Sequence, residues 1–172
     1  SMPVFAEDIK LEALMEMVKR TSLEVRFKEQ KTDQFLDIPI YSSGEVSFRY
    51  PDYLKKTVTS PRRQLFAIDG DEVSIYLDQD NEQKFTVQDY PQIGIFFDSF
   101  LGILTGDGAR LNRHFIVTVS GTAERWRIEL RPRDRKIATR LNQLEFEGGQ
   151  DQLLRVTSSM RNGDQTITTF IH

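Results

Sequence analysis

The sequence has no cysteine and only two histidines, His114 and His172. The first absence excludes disulfides, thiolate metal sites and a cysteine nucleophile. The second leaves little material for imidazole catalysis or a histidine-built metal centre. No apolar run approaches the roughly 20 residues that cross a bilayer as a helix. No large surplus of charge exists either: 23 Lys and Arg stand against 26 Asp and Glu, a formal net charge of −3. The chain as a whole therefore has no attraction to nucleic acid or anionic lipid. The HExxH, GxSxG and P-loop patterns are missing as well.

What remains is 172 residues with a mean hydropathy of −0.45 and a hydrophobic fraction of 38%. This suits one globular domain over residues 1–172 with a substantial core. Ser1-Met2 reads as a cloning scar, so a missing leader at the start carries no information.

The most apolar stretch runs from Tyr90 to Gly108. Ile93, Phe96, Phe97, Phe100, Leu101 and Leu104 fall at the i, i+3, i+4, i+7, i+8, i+11 spacing of one helical stripe. Ile95 and Ile103 lie off that stripe, so the apolar surface wraps further round than a surface helix needs. Pro91 suits the first turn, and Gly106 or Gly108 the end. Two readings stand: a helix that covers one face of a sheet, or a lid over a cavity. Gly94 and Gly102 lower the helix propensity, which a lid that opens would tolerate.

Around this stretch the chain alternates like strands. A helix is expected first, over Ala6–Arg20. Strands are expected over Leu23–Lys31, Glu45–Tyr50, Leu54–Thr59, Arg63–Ile68, Val73–Leu77 and Lys84–Val87. After the apolar stretch come Arg113–Ser120, Arg125–Arg131, Leu141–Glu147, Leu153–Met160 and Gln165–Ile171. The connections are short, with Asp69-Gly70 and Asn162-Gly163-Asp164 as turn signals. Short connections require antiparallel neighbours. The expected fold is mainly β (α+β). It is a strongly curved, unclosed antiparallel β-barrel of about eleven strands, with an N-terminal helix and a central helical lid on the concave side.

Candidate chemistry is sparse. His114 reads as a plain surface or core histidine. Asp69 with Asp71, and Asp78 with Asp80, resemble paired acids, but both pairs fall at turns where Asp is favoured for local backbone bonds. No catalytic residue, cofactor or metal is expected. The basic run Arg125, Arg127, Arg131, Arg133, Arg135, Lys136 and Arg140 surrounds Trp126. Trp126 alternates away from the arginines and should face the core, which argues against a stacking platform for nucleic acid. A solvated face and a docking surface for an acidic or phosphate-bearing partner both remain open.

Several segments, in order, carry a resemblance. They are Phe27-Lys-Glu-Gln-Lys31, Ser43-Gly-Glu-Val-Ser-Phe48, Tyr50-Pro-Asp-Tyr-Leu54, Ile68-Asp-Gly-Asp-Glu-Val73, Leu104-Thr-Gly-Asp107, Phe115, Trp126-Arg-Ile-Glu-Leu-Arg-Pro132 and Asn162-Gly-Asp-Gln-Thr166. Together they resemble the periplasmic outer-membrane lipoprotein carrier (LolA) and its relatives. The resemblance implies an unclosed barrel that holds acyl chains under a helical lid in the Gram-negative periplasm, without a cofactor. In that family a basic residue before the proline matching Pro51 tethers the lid. Here Tyr50 holds that place and Arg49 precedes it on the opposite face, so these two are the candidate lid latch. This departure, and the ending at His172 on the last strand, mark a divergent relative.

The expected ligand-binding residues are Phe27, Val46, Phe48, Tyr50, Leu65, Trp126 and Ile128 on the strands. Ile93, Phe96, Phe97, Phe100, Leu101 and Leu104 complete the set from the lid. The expected function is a carrier that shuttles a lipid or lipoprotein between inner and outer membrane. Its partners would be acyl chains, an inner-membrane exporter and an outer-membrane acceptor, with no nucleic acid and no stable membrane insertion, and it would be a monomer. The alternative is a periplasmic lipid-sensing or adaptor protein that docks on an envelope export complex.

Overall fold

The computed structural model describes residues 7–78 and 81–172, with Asp78 described for its backbone only. Asp80 and the start of the expected first helix lie outside the described residues. Eleven strands form one antiparallel sheet: β1 (Ser22–Thr32), β2 (Ile40–Arg49), β3 (Tyr53–Ser60), β4 (Gln64–Asp69), β5 (Glu72–Asp78), β6 (Asn81–Thr86), β7 (Phe115–Gly121), β8 (Trp126–Pro132), β9 (Leu141–Gly149), β10 (Gln152–Met160) and β11 (Gln165–Ile171). Among the described residues four helices accompany them: α1 (Leu11–Val18), α2 (Pro91–Thr105), α3 (Gly108–His114) and α4 (Arg135–Ala138).

The strand order is β6-β5-β4-β3-β2-β1-β11-β10-β9-β8-β7. Two meanders are thus joined where the first strand meets the last, with Phe27 opposite Phe170. The sheet curves but does not close. Its edges are β6 and β7, and the chain passes from one to the other through α2 and α3. The helices therefore carry the chain between two edges that a closed barrel would pair with each other.

Alternation sets the two faces. Val25, Phe27, Val46, Phe48, Leu54, Ile68, Val73, Ile128, Leu130, Leu144, Phe146 and Phe170 are buried on the concave side. Leu14, Met15 and Val18 of α1 join Ile95, Leu101, Ile103 and Leu104 of α2 and Leu111 of α3 in the same core.

The first helix is shorter than expected. Its approach is held extended on the β7–β8 hairpin: Ile9 N–H donates to the Gly121 carbonyl at 2.8 Å, and Gly121 N–H donates to the Asp8 carboxylate at 3.0 Å. Asp8 thus bonds across the structure instead of capping the helix. The segment expected as the strand start at Arg113 is instead the end of α3. Gly106 ends α2 at φ 69°, and Asp107 restarts a helix by accepting the Arg110 N–H at 3.0 Å.

Candidate functional site

Helix α2 lies over the concave face. Its residues Leu101 and Leu104 are almost fully buried, while Ile93, Phe96, Phe97 and Phe100 are half-buried. Phe100 meets Phe146 of the sheet edge-to-face, with ring centroids 5.1 Å apart. Burial also extends round the helix to Ile95, Ser99, Gly102 and Ile103. The two residues outside the expected stripe, Ile95 and Ile103, are therefore buried as well. Leu111 of α3 packs so tightly on Gly102 that a Cβ there would stand 2.7 Å from its Cδ2. Gly102 is a close-approach glycine, not a device that loosens the helix.

The strand residues expected at the site divide into two groups. Phe27, Val46, Phe48, Trp126 and Ile128 all face the concavity and are buried. Trp126 also donates its indole N–H to the Gln150 carbonyl at 2.9 Å. Leu65 and Tyr50 are placed elsewhere. Leu65 alternates with the core residue Ile68, so it faces the convex side, in a cleft of about 620 Å³ with Tyr53, Lys55 and Tyr76. There, hydrogen bonding to Glu82, then desolvation and the carboxylate's charge, hold the Tyr76 phenol above its usual 10.0. Tyr50 follows the last residue of β2, in the turn with Pro51, and is 61% exposed.

The expected latch residues make no hydrogen bond or ion pair with α2 among the described residues. Tyr50 donates its backbone N–H to Thr21 at 2.8 Å, and Arg49 stacks its guanidinium over Tyr53 at 4.3 Å. What ties α2 to its surroundings is Asp98. Arg110 donates to its Oδ1 from Nε and Nη2 at 3.1 and 2.5 Å, and His114 Nε2 lies 3.2 Å from its Oδ2. At the far end, Arg20 N–H donates to the Leu104 carbonyl at 2.9 Å. These ties hold α2 to α3 and to the start of β1. Toward the sheet the helix rests on apolar contacts.

A polar cluster interrupts the concave wall. Lys56 Nζ lies 2.7 Å from Glu29 Oε2, which also accepts the Thr168 hydroxyl at 2.8 Å. The same ammonium sits 5.1 Å from the centre of the Phe27 ring. Sequence alternation placed these residues on strands but gave no sign that a cation and an anion share the inner face.

Chemically, the arrangement is a surface for apolar matter. No group of three or more metal-ligating side chains comes together among the described residues, and no described helix is long and apolar enough to cross a membrane.

Comparison with known proteins agrees with this architecture. Over 94% of its length the chain superposes on 90% of a LolA superfamily protein from Nitrosomonas europaea, with a TM-score of 0.52 and 10% sequence identity. A DUF1329 family protein from Desulfovibrio piger is less similar, with a TM-score of 0.48, 9% identity and coverage of 94% of this chain and 89% of that one. No protein with a curated function matches in sequence. Residues 6–171 match the family described as outer membrane lipoprotein carrier protein LolA-like. That is a family of binding and carrier proteins rather than enzymes. The chain, from its curved unclosed sheet to its apolar helical cover, belongs to the LolA-like family.

Proposed function

We propose that the protein is a periplasmic carrier that takes acyl chains of a lipid or lipoprotein between α2 and the concave wall and moves them between the inner and outer membranes. The observation that carries this reading is the unequal attachment of α2. Its polar ties run to α3 and Arg20, while Phe96, Phe97 and Phe100 meet the sheet through apolar surface alone and stay half-buried. An acyl chain can replace such contacts like for like, because the hydrophobic effect is non-directional.

The interior does not stand open beside the lid. Trp126, Phe27, Phe48, Phe115 and Phe146 are fully buried by the chain's own side chains. Loading therefore means displacement: α2 lifts from the wall and methylenes take the place of its phenylalanines. Each buried CH₂ contributes about 0.8 kcal/mol. The lost lid contacts and the ordering of the acyl chain offset much of this, so transfer to an acceptor needs no chemical step. An inner-membrane exporter as donor and an outer-membrane protein as acceptor follow from the same reading.

Native mass spectrometry of protein purified from an envelope fraction, followed by lipid extraction, tests the proposal. Acylated species that leave with the denatured protein are expected. A protein that emerges empty, and that takes up no acylated ligand when one is offered, overturns it.

A further inference from the structure

The long hairpin between β1 and β2 carries the most exposed apolar side chains of the described residues. Phe35 is 84% exposed, Ile38 74% and Tyr41 64%, with Leu36 and Ile40 close to half. Isolated exposed apolar residues are ordinary, but five within seven consecutive positions form a patch. The tip is not collapsed onto the sheet. The Asp33 carboxylate accepts the Phe35 N–H, its carbonyl accepts the Leu36 N–H, and Gln34 N–H donates to Asp164 on the β10–β11 turn. The hairpin is thus shaped by backbone bonds that leave its apolar side chains pointing to solvent.

Strand pairing places other connections at the same end of the sheet. Ser60 pairs with Ser43, which brings the β3–β4 turn beside β2. Gln165 pairs with Thr32, and Arg161 N–H donates to the Arg140 carbonyl, which brings the β10–β11 turn and the α4 connection alongside. These connections are basic. Lys31, Arg62, Arg63, Arg135, Lys136 and Arg140 are all exposed, and among the described residues none is in an ion pair. The carboxylates here are occupied differently. Asp33, Asp134 and Asp164 accept backbone N–H groups, and only Asp37 at the tip has no such role among the described residues. Asp78, the last residue of β5, lies further along the same end, towards the β6 edge.

We propose that this end of the sheet is a membrane-docking surface, with Phe35, Leu36 and Ile38 entering the interface of a bilayer that contains anionic lipid. The unpaired cations on the neighbouring turns meet the headgroups. A bilayer fits better than a protein partner for two reasons. The apolar side chains project instead of lining a groove, and the cations are spread over separate connections that share one end, as a charged plane requires. Apolar insertion and a few surface cations add in membrane binding, and either alone is weak and reversible. The local surplus matters here more than the net charge of −3, because screening confines each charge to its surroundings. The proposal does not depend on what the concavity binds.

Flotation with phosphatidylcholine vesicles, with and without phosphatidylglycerol, tests it. The wild-type protein should float with the anionic vesicles, and rising salt should release it. Phe35→Ser with Ile38→Ser, and separately Arg135→Ser with Lys136→Ser, should each lower the bound fraction about tenfold. Neither should change the thermal midpoint, because the altered side chains are exposed. Absence of wild-type flotation, or equal flotation of the Phe35→Ser, Ile38→Ser protein, overturns the proposal. Wild-type self-association in gel filtration that the same pair abolishes, with no flotation, assigns the tip to a protein interface instead.

Discussion

Asp98 of α2 receives two hydrogen bonds from the Arg110 guanidinium of α3, at 3.1 and 2.5 Å on one carboxylate oxygen. Both side chains are about a quarter exposed, so the pair is only partly screened by water. No other α2 side chain has a hydrogen-bond partner outside the helix among the described residues. Asp98→Ala should therefore free the lid without damaging the sheet. A loss of about 0.5–1 kcal/mol is expected, in line with partly exposed pairs. Amide exchange across Ile95–Leu104 should quicken by a few-fold while exchange in β1 and β2 stays the same. Unchanged lid exchange in Asp98→Ala would show that apolar packing alone seats α2.

Gly102 presents a contest between two effects. Replacing an interior helical glycine by alanine favours the helix by about 1 kcal/mol. The added Cβ, however, would stand 2.7 Å from Leu111 Cδ2, and Leu111 is fully buried and has nowhere to retreat. Overpacking of this kind costs about 1–3 kcal/mol. Gly102→Ala should lower the thermal midpoint and part α2 from α3. If the midpoint rises, the Leu111 side chain has room that its burial does not suggest.

The strands were legible because their signals are local. Alternation in Trp126–Pro132 and the Asp69-Gly70 turn specify pairing between neighbours without reference to the rest of the chain. The β1–β11 join was legible only as the consequence of a long meander that must curl. Less was readable where tertiary contacts decide. α2 is buried at Ile95, Ser99 and Ile103 as well as at Leu101 and Leu104 because α1 and α3 flank it, and a stripe count sees only the sheet. Leu65 and Ala67 make β4 apolar on both faces, so alternation there does not say which face is inside. Tyr50 continues the alternation of β2 in sequence, yet the strand ends at Arg49 and Pro51 turns the chain. The apolar tip Phe35–Tyr41 did leave a signal, since five apolar residues without alternation between two strands do not suit a solvated loop.

Glu29 and Lys56 face each other across β1 and β3 inside an otherwise apolar wall, 2.7 Å apart. Glu29 is 15% exposed at its side chain and Lys56 32%, so removing one partner strands the other in poor solvent. Glu29→Ala should destabilise the fold by about 1–3 kcal/mol, read from urea unfolding. Glu29→Met with Lys56→Met should recover most of that loss, because an apolar pair restores the packing without stranding a charge. A double variant as unstable as Glu29→Ala would mean that the hydroxyl of Thr168, left without its acceptor, accounts for the cost.

Phe97 and Phe100 allow the carrier reading to be separated from a merely structural helix. Both are half-buried against the concave wall, and Phe100 touches Phe146 edge-to-face. If acyl chains take the place of these rings, each ring contributes to the bound and the empty state in opposite ways. A smaller side chain gives up lid packing in the empty protein, and it also removes apolar surface from the loaded one. Polar replacement shifts the balance clearly: Phe97→Ser with Phe100→Ser loses roughly 2–4 kcal/mol of apolar contact with a bound chain. Displacement of a fluorescent fatty acid should then need at least tenfold more protein. Circular dichroism should show the sheet intact, since its strand pairing does not run through α2. Equal fatty-acid affinity in the wild type and the double serine variant would place acyl binding away from α2 and leave the helix a structural cover.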